Sequence, residues 1–312
     1  MKQHKLQVDI LMATYNGADF IEAQLASIVG QTYPHWKLYI HDDGSQDNTI
    51  ELIQKWEAID KRIQLINDGK QHIGAAQNFL SLLPYSQADF CMFCDQDDIW
   101  FDNKVEKSLE NIQALDNTQA QLVFVDSYVW IPEVGIKGQA TLAKATDLKD
   151  FLFLNGGTRG CLSIFNTQLR NQLLHWKGTC AMHDHLLQLF ALSFGSVKYV
   201  NLPLMLYRNH AHNLTGKTDI NIYELKRLKA NKGRAVVDYE HFKTIEKFYK
   251  EHAENLSQDK QQIIQAYLFM KDKSRYAKLM AILKHKFSIY NTVGLLFVKV
   301  LLRPFIEKAS IK

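Results

Sequence analysis

The sequence predicts an α/β fold, a mixed, mostly parallel sheet flanked by helices, and three observations support this. Short apolar runs alternate with amphipathic stretches through the first half of the chain. Three of those runs end in polar, turn-forming clusters, at Thr14, Asp42 and Asp95. Beyond about residue 216 the pattern gives way to Lys-rich helical sequence, and the charge balance changes from −6 over residues 1–216 to +10 over 217–312.

Val8-Asp9-Ile10-Leu11-Met12-Ala13 reads as a buried strand that ends in Thr14-Tyr15-Asn16-Gly17. A helix follows, with Phe20, Ile21, Leu25 and Ile28 on one face. Lys37-Leu38-Tyr39-Ile40-His41 is a second strand, stopped by Asp42-Asp43-Gly44-Ser45. Asp47 or Asn48 then caps a helix running through Trp56. Ile63-Gln64-Leu65-Ile66 is a third strand, Gly74 to Leu83 a third helix, and Asp89 to Cys94 a fourth strand. A helix from about Asn103 to Leu115 follows the acidic cluster. Later elements are a strand over Leu122–Trp130, a helix over Ala145–Leu154 and a strand over Gly160–Phe165. A helix over Met182–Phe194 and a strand near Val197–Val200 complete the series. In open α/β sheets ligands sit beyond the carboxyl ends of the strands, where all three distinctive turns fall, so a nucleotide pocket is expected there.

Two regions follow from the charge shift: a catalytic domain over 1–216 and a helical, basic C-terminal region over 217–312. Met1 to Gln7 is polar and the apolar run Val8–Ala13 is too short for a signal-peptide core. The four cysteines form no dense framework, so the expected compartment is the cytoplasm. Cys91 and Cys94 sit in an apolar run and read as core thiols; a zinc site would need a second ligand pair.

The acidic cluster Asp95-Gln96-Asp97-Asp98 places three carboxylates in four positions directly after a strand. Grouped carboxylates repel unless a cation or solvent screens them, and Mg²⁺ or Mn²⁺ prefers oxygen ligands and substrate phosphates. Alone, the cluster reads equally as a solvated turn in which Asp98 or Asp102 caps the next helix. Asp184, alone, reads as a helix cap. His183 and His185 flank it two residues apart, a spacing that points side chains away from each other on a helix.

Taken together, Thr14-Tyr15-Asn16-Gly17, Asp42-Asp43-Gly44-Ser45-Gln46-Asp47-Asn48-Thr49 and Asp95-Gln96-Asp97-Asp98-Ile99-Trp100 resemble the family 2 inverting glycosyltransferases of the GT-A (Rossmann-like) fold, over roughly residues 6–216. Met182-His183-Asp184-His185 and Leu206-Tyr207-Arg208-Asn209-His210-Ala211-His212-Asn213 resemble the bacterial rhamnosyltransferase-like branch. The resemblance implies a nucleotide-sugar donor, dTDP-rhamnose or a UDP-sugar, and a lipid-linked saccharide acceptor in cell-wall, capsular or O-antigen polysaccharide synthesis. By that resemblance Thr14, Tyr15, Asn16 and Asp42 line the nucleoside pocket and Asp43 supports it, with Asn78 among the donor contacts. Asp95 touches ribose or sugar, and Asp97 holds a Mn²⁺ or Mg²⁺ ion, with Asp98 and Asp95 able to share it. Asp184 is the general base, and Arg208 and His210 approach the diphosphate. The sequence departs from the family at Gln77, where many members carry Arg, and at His185-Leu186, where the branch usually shows an aromatic pair. A catalytically silent nucleotide- or membrane-binding scaffold is the competing class, and the intact carboxylates at 95, 97, 98 and 184 speak against it.

In the C-terminal region Val293, Leu296, Phe297, Val300 and Leu301 fall at i, i+3, i+4, i+7 and i+8. The run is too short to span a bilayer. It reads either as a helix packed on its own domain or as an interfacial helix at the inner face of the cell membrane. The Lys-rich helices carry no nucleic-acid-binding motif, so nucleic acid is not an expected partner.

Overall fold

The computed structural model describes residues 5–140, 144–210 and 234–306. The expected domain boundary at 216, and Ala211, His212 and Asn213 of the late motif, lie outside the described residues.

The first half follows the alternation. β1 (Val8–Thr14), α1 (Ile21–Val29), β2 (Trp36–Asp42), α2 (Thr49–Ile59), β3 (Ile63–Ile66), α3 (Ala75–Leu82) and β4 (Phe90–Asp95) come in that order. Their strands pair in parallel in the order β3-β2-β1-β4. β1 and β4 are buried on both faces, as near-continuous apolar runs require. Asp9 is the exception within β1, and its carboxylate accepts from Ser86 Oγ at 2.8 Å and from the amides of Gln87 and Ala88 at 3.0 and 3.1 Å. Cys91 and Cys94 are buried and unpaired, as core thiols.

The second half extends the same sheet with mixed pairing. After a two-residue β5 (Ile99–Trp100) and α4 (Lys104–Gln113) come the long β6 (Ala120–Ile131) and a hairpin partner, β7 (Gly135–Gln139). A one-turn α5 (Leu148–Phe151), β8 (Ser163–Asn166) and α6 (Thr167–Leu174) lead into α7 (His183–Phe194) and β9 (Gly195–Arg208). β8 lies antiparallel between β4 and β6, and β9 runs parallel to β6 and antiparallel to β5. β5, β7 and α6 go beyond the elements read from the sequence. β5 has two residues, too few for any periodicity, and the Gly135 and Gly138 positions of β7 take positive φ that apolar patterning does not reveal. The expected helix over Ala145–Leu154 shrinks to α5. The expected strand at Val197–Val200 grows into the fourteen-residue β9. Gly195 opens that strand at a point where any Cβ would strike the Ala120 carbonyl.

Four helices follow in the described C-terminal part: α8 (Tyr239–His252), α9 (Gln258–Phe269), α10 (Arg275–His285) and α11 (Val293–Leu302). They pack on the sheet unit, and a single hydrophobic cluster runs through both regions. Phe153 meets the rings of Tyr267, Phe287 and Phe305, and Phe190 meets Phe248. The amphipathic stripe of α11 largely faces inward: Leu296 and Val300 are buried, Val293 and Phe297 half-buried, and only Leu301 is exposed. Burial against its own chain therefore accounts for most of that stripe.

One buried carboxylate fastens α10–α11 to the sheet unit. Asp150, in α5, accepts from Ser288 Oγ and from the Asn291 amide, both at 2.7 Å. Asp150→Ala leaves the Asn291 N–H without this partner, and the expected loss is about 1–3 kcal/mol of unfolding free energy, read from the urea midpoint. Asp150→Asn, which keeps an acceptor oxygen, should lose less.

Candidate active site

Sheet register brings the three turns together. Thr14 at the end of β1 stands beside Asp42 at the end of β2, and Ala13 stands beside Asp95 at the end of β4. The turns are then tied by side-chain hydrogen bonds. Asp42 accepts from Thr14 Oγ1 at 2.8 Å, from Ser45 Oγ at 2.6 Å, and from the amides of Gly44 and Ser45 at 3.1 and 2.7 Å. The Asn16 amide donates to Ser45 Oγ, and Asn16 Oδ1 accepts from the Gln46 amide, both at 2.8 Å. Gln96 reaches across from the acidic turn: its Oε1 accepts from Tyr15 N at 3.0 Å and its Nε2 donates to Tyr15 O at 2.9 Å. This two-point amide pairing explains Gly17, where a Cβ would collide with the Gln96 side chain.

Asp43 and Asn78 work beneath this surface. Asp43 accepts from the amides of Ile73 and Gly74 at 2.8 and 2.9 Å, fixing the entry to α3. Asn78 is buried, donates to Thr14 O at 3.3 Å, and has its Oδ1 2.7 Å from His41 Nδ1. The other His41 nitrogen lies 3.0 Å from Asp68. Tyr15 is exposed and Asn16 takes a left-handed φ of 46°, which Asn tolerates better than most residues.

The acidic cluster splits by depth. Asp98 is fully buried, with Oδ1 accepting from the Arg208 amide at 3.2 Å and Oδ2 without a hydrogen-bond partner among the described residues. Asp97 is more open: its Oδ2 lies 2.8 Å from His210 Nε2, and its backbone carbonyl accepts from Arg208 Nε at 2.8 Å. Phe20 stacks on His210 at 4.4 Å, and the Arg208 guanidinium lies 4.4 Å over Trp130. Arg208 and His210 thus join the acidic cluster through Asp97. Asn103 is the N-cap residue of α4 and, among the described residues, no side chain caps the helix, so neither Asp98 nor Asp102 serves as a cap.

Burial, followed by the charge of Asp97, raises the pKa of both Asp95 and Asp98. Lys104 lies buried behind them, its Nζ donating to Cys161 O at 2.5 Å and sitting 3.8 Å over the Trp100 ring. Burial pulls its pKa down, while Cys161, Cys94, Asp98 and Asp95 oppose that. Ligand atoms of Asp95, Asp98 and Cys161 lie within 4.8 Å of one another. Burial holds the Cys161 thiol well above its ordinary pKa, so it stays a neutral, soft group. The carboxylates, including the unpartnered Asp98 Oδ2, fit a hard divalent cation, and the thiol does not.

Asp184 sits in the first turn of α7 and accepts from the His185 amide at 2.7 Å. Burial pushes its carboxyl up to about 6, against the lowering effect of the His185 amide and of Arg159. Its charge in turn raises Asp95, so the two carboxylates share one electrostatic environment. Its two histidine neighbours diverge. His183 stacks on Phe79 at 3.9 Å, whereas His185 stacks on Phe151 at 4.7 Å and meets His241 edge-on. The Gly156–Gly160 turn is pressed against this helix start: a Cβ on Gly157 would meet the Asp184 carbonyl, and one on Gly160 the His183 ring. Gln77 donates to the Gly178 carbonyl at 3.0 Å, tying α3 to the loop before α7.

Lys104, Arg159, Phe20 and Trp130 belong to this centre without any signal in the sequence motifs.

A parallel β3-β2-β1-β4 unit with an acidic turn at its carboxyl edge is the arrangement the GT-A fold carries. Solved structures agree: S. aureus TarS 1-349 superposes with a TM-score of 0.56 at 12% identity, covering 85% of this chain and 71% of that one. The mannosyltransferase PcManGT from Pyrobaculum calidifontis, in complex with GDP-Man and Mn²⁺, gives 0.50 at 16% identity over 96% and 88%. The sequence model of glycosyl transferase family 2 matches residues 9–187, and the chain belongs to that family. The dTDP-rhamnosyl transferase RfbG of Shigella flexneri is 28% identical over 217 residues, 66% of this chain and 73% of RfbG. TuaG of Bacillus subtilis, a glycosyltransferase named for teichuronic acid biosynthesis, is 36% identical over 35% of this chain. WfgD of Escherichia coli, a UDP-Glc:alpha-D-GlcNAc-diphosphoundecaprenol beta-1,3-glucosyltransferase, is 38% identical over 33% of it. The chain spans 43% of TuaG and 39% of WfgD.

Asp42 gathers four donors within a buried turn. Asp42→Ala should therefore destabilise the protein by about 2–3 kcal/mol, measured by urea unfolding. Asp42→Asn should keep part of the turn and fall between the two.

Proposed function

We propose that the chain is an inverting glycosyltransferase that moves rhamnose from dTDP-rhamnose to a lipid-linked polysaccharide acceptor at the cytoplasmic membrane surface. The observation that carries the reading is the convergence of three strand-end turns with Asp97, His210 and Arg208 on one edge of the sheet. The donor assignment is supported by the likeness to RfbG, which extends over two thirds of this chain. A UDP-hexose or UDP-N-acetylhexosamine donor is the second reading, supported by the likeness to WfgD and by a TarS structure in complex with UDP-GlcNAc.

Inversion requires a base that removes the acceptor hydroxyl proton as its oxygen attacks the anomeric carbon. Asp184 takes that role. Its environment lifts its affinity for a proton to about 6, which strengthens it as a base while leaving it ionised at neutral pH. Thr14, Tyr15, Asn16 and Asp42 with Asp43 shape the nucleoside side, Tyr15 being the exposed ring available for stacking. Asn78 holds that side from below, and Asp95 orients ribose or sugar. Arg208, held over Trp130, brings a fixed positive charge toward the diphosphate as negative charge develops on it. Asp97, with Asp95 and Asp98, would hold Mn²⁺ or Mg²⁺. When bound, the ion supplies charge neutralisation for the leaving diphosphate.

Three outcomes are expected. Calorimetry with dTDP-rhamnose, UDP-glucose, UDP-galactose and UDP-N-acetylglucosamine should show Mn²⁺-dependent binding of dTDP-rhamnose, lost in Asp97→Ala. Preference for a UDP-sugar would replace the donor, and binding of none would overturn the proposal. Asp184→Asn should retain donor affinity and lose about 10²–10⁴-fold in turnover; near-normal transfer would sink the base assignment. A base must be ionised to accept a proton, so kcat/KM should fall about tenfold per pH unit below about 6, and this limb should vanish in Asp184→Asn.

A further inference from the structure

α10 and α11 bury one side against the rest of the chain and leave another side bare. On α10, Tyr276, Met280 and Leu283 recur at i, i+4 and i+7 and are 73, 47 and 51% exposed. On α11, Val298, Leu301 and Leu302 are 37, 44 and 62% exposed. Single exposed apolar side chains are ordinary on a protein surface; six of them on two adjacent helices are not. The charge around them is one-sided. From Lys273 to Ile306 the sequence has five Lys and two Arg and no Asp or Glu. Lys273, Arg275, Lys284 and Lys286 are exposed.

A second copy of the chain would match the apolar side chains but would set this acid-free segment against itself, and like charges across an interface are costly. An anionic phospholipid surface satisfies both features at once, accepting apolar side chains at the headgroup–acyl boundary and cations at the phosphates. Among the described residues no helix is long and apolar enough to cross a membrane, so the helices would lie on it. We propose that the outer face of α10 and α11 docks on an anionic bilayer, with Tyr276, Met280, Leu283, Leu301 and Leu302 entering the interface and Lys273, Arg275, Lys284 and Lys286 meeting phosphate groups. This gives the membrane location proposed above a defined surface, and vesicle binding reads it without any sugar donor or transfer step.

The experiment is sedimentation of the purified full chain with vesicles of phosphatidylcholine alone or mixed with phosphatidylglycerol. Binding to the mixed vesicles only, weakening as salt is raised, is the expected result. Met280→Ser/Leu283→Ser combined with Leu301→Ser/Leu302→Ser should lower the partition coefficient by at least about tenfold. Lys284→Gln/Lys286→Gln should lower it about fivefold per charge removed. These side chains face solvent, so the variants should keep the parent's melting temperature and calorimetric nucleotide affinity, which separates lost docking from lost folding. Absence of binding, equal binding to both vesicles, or a dimer in analytical ultracentrifugation that the serine variants dissolve would overturn the proposal.

Discussion

At the end of β2 one carboxylate, Asp42, accepts four hydrogens, two from hydroxyls and two from backbone amides, and the shape of the cleft depends on it. A carboxylate that accepts several such bonds need not be paid for by a counter-ion, because oriented amide and hydroxyl dipoles stabilise its charge. Through Thr14 it sets the end of β1, and through Ser45 it sets Asn16, which in turn receives the Gln46 amide. Gln96 carries the same order to the acidic turn. Three loops that could move separately are thereby held as one surface on the sheet's edge, the kind of preorganisation a nucleotide pocket needs.

Behind that surface lies a second constraint, the burial of charge. Asp98 and Lys104 are both fully buried, and among the described residues neither is closed off by a conventional ion pair. The Lys104 ammonium rests on one carbonyl, a thioether and the Trp100 ring. Its field reaches Asp95 and Asp98 and works against the mutual repulsion of the carboxylates. Where Lys104 is protonated, a cation on the inner side of the cluster complements whatever positive charge arrives from the outer side.

Much of this was legible from residues 8–100. Apolar runs of strand length ending in Thr14, Asp42 and Asp95 specify a parallel unit, and parallel register then places the turns side by side without further information. Asp184, Arg208 and His210 were singled out through motif resemblance alone, because nothing in their local sequence sets them apart from a helix-start carboxylate or from solvated strand-end polar residues. Lys104 could not be read at all, since its burial depends on Cys161 and Met205, which are 57 and 101 residues away in sequence. β5 and β7 escaped because two-residue strands and glycine-bearing hairpins carry no periodicity. In α11 the periodicity was real, but a hydrophobic stripe does not say what covers it; the structure shows its centre covered by the chain itself.

Asp150 also has a mechanical meaning. It clamps the link between α10 and α11 to a one-turn helix whose next residues, Leu152 to Leu154, are buried in the core and lead into the glycine turn packed against Asp184. Such a linkage has the form of a strut, joined by hydrogen bonds at one end and by close packing at the other. With α10 and α11 resting on a plane, the strut would fix the altitude of Asp184 above that plane. Under the docking and base assignment proposed above, a hydroxyl tethered to that plane would meet Asp184 only within a narrow range of heights.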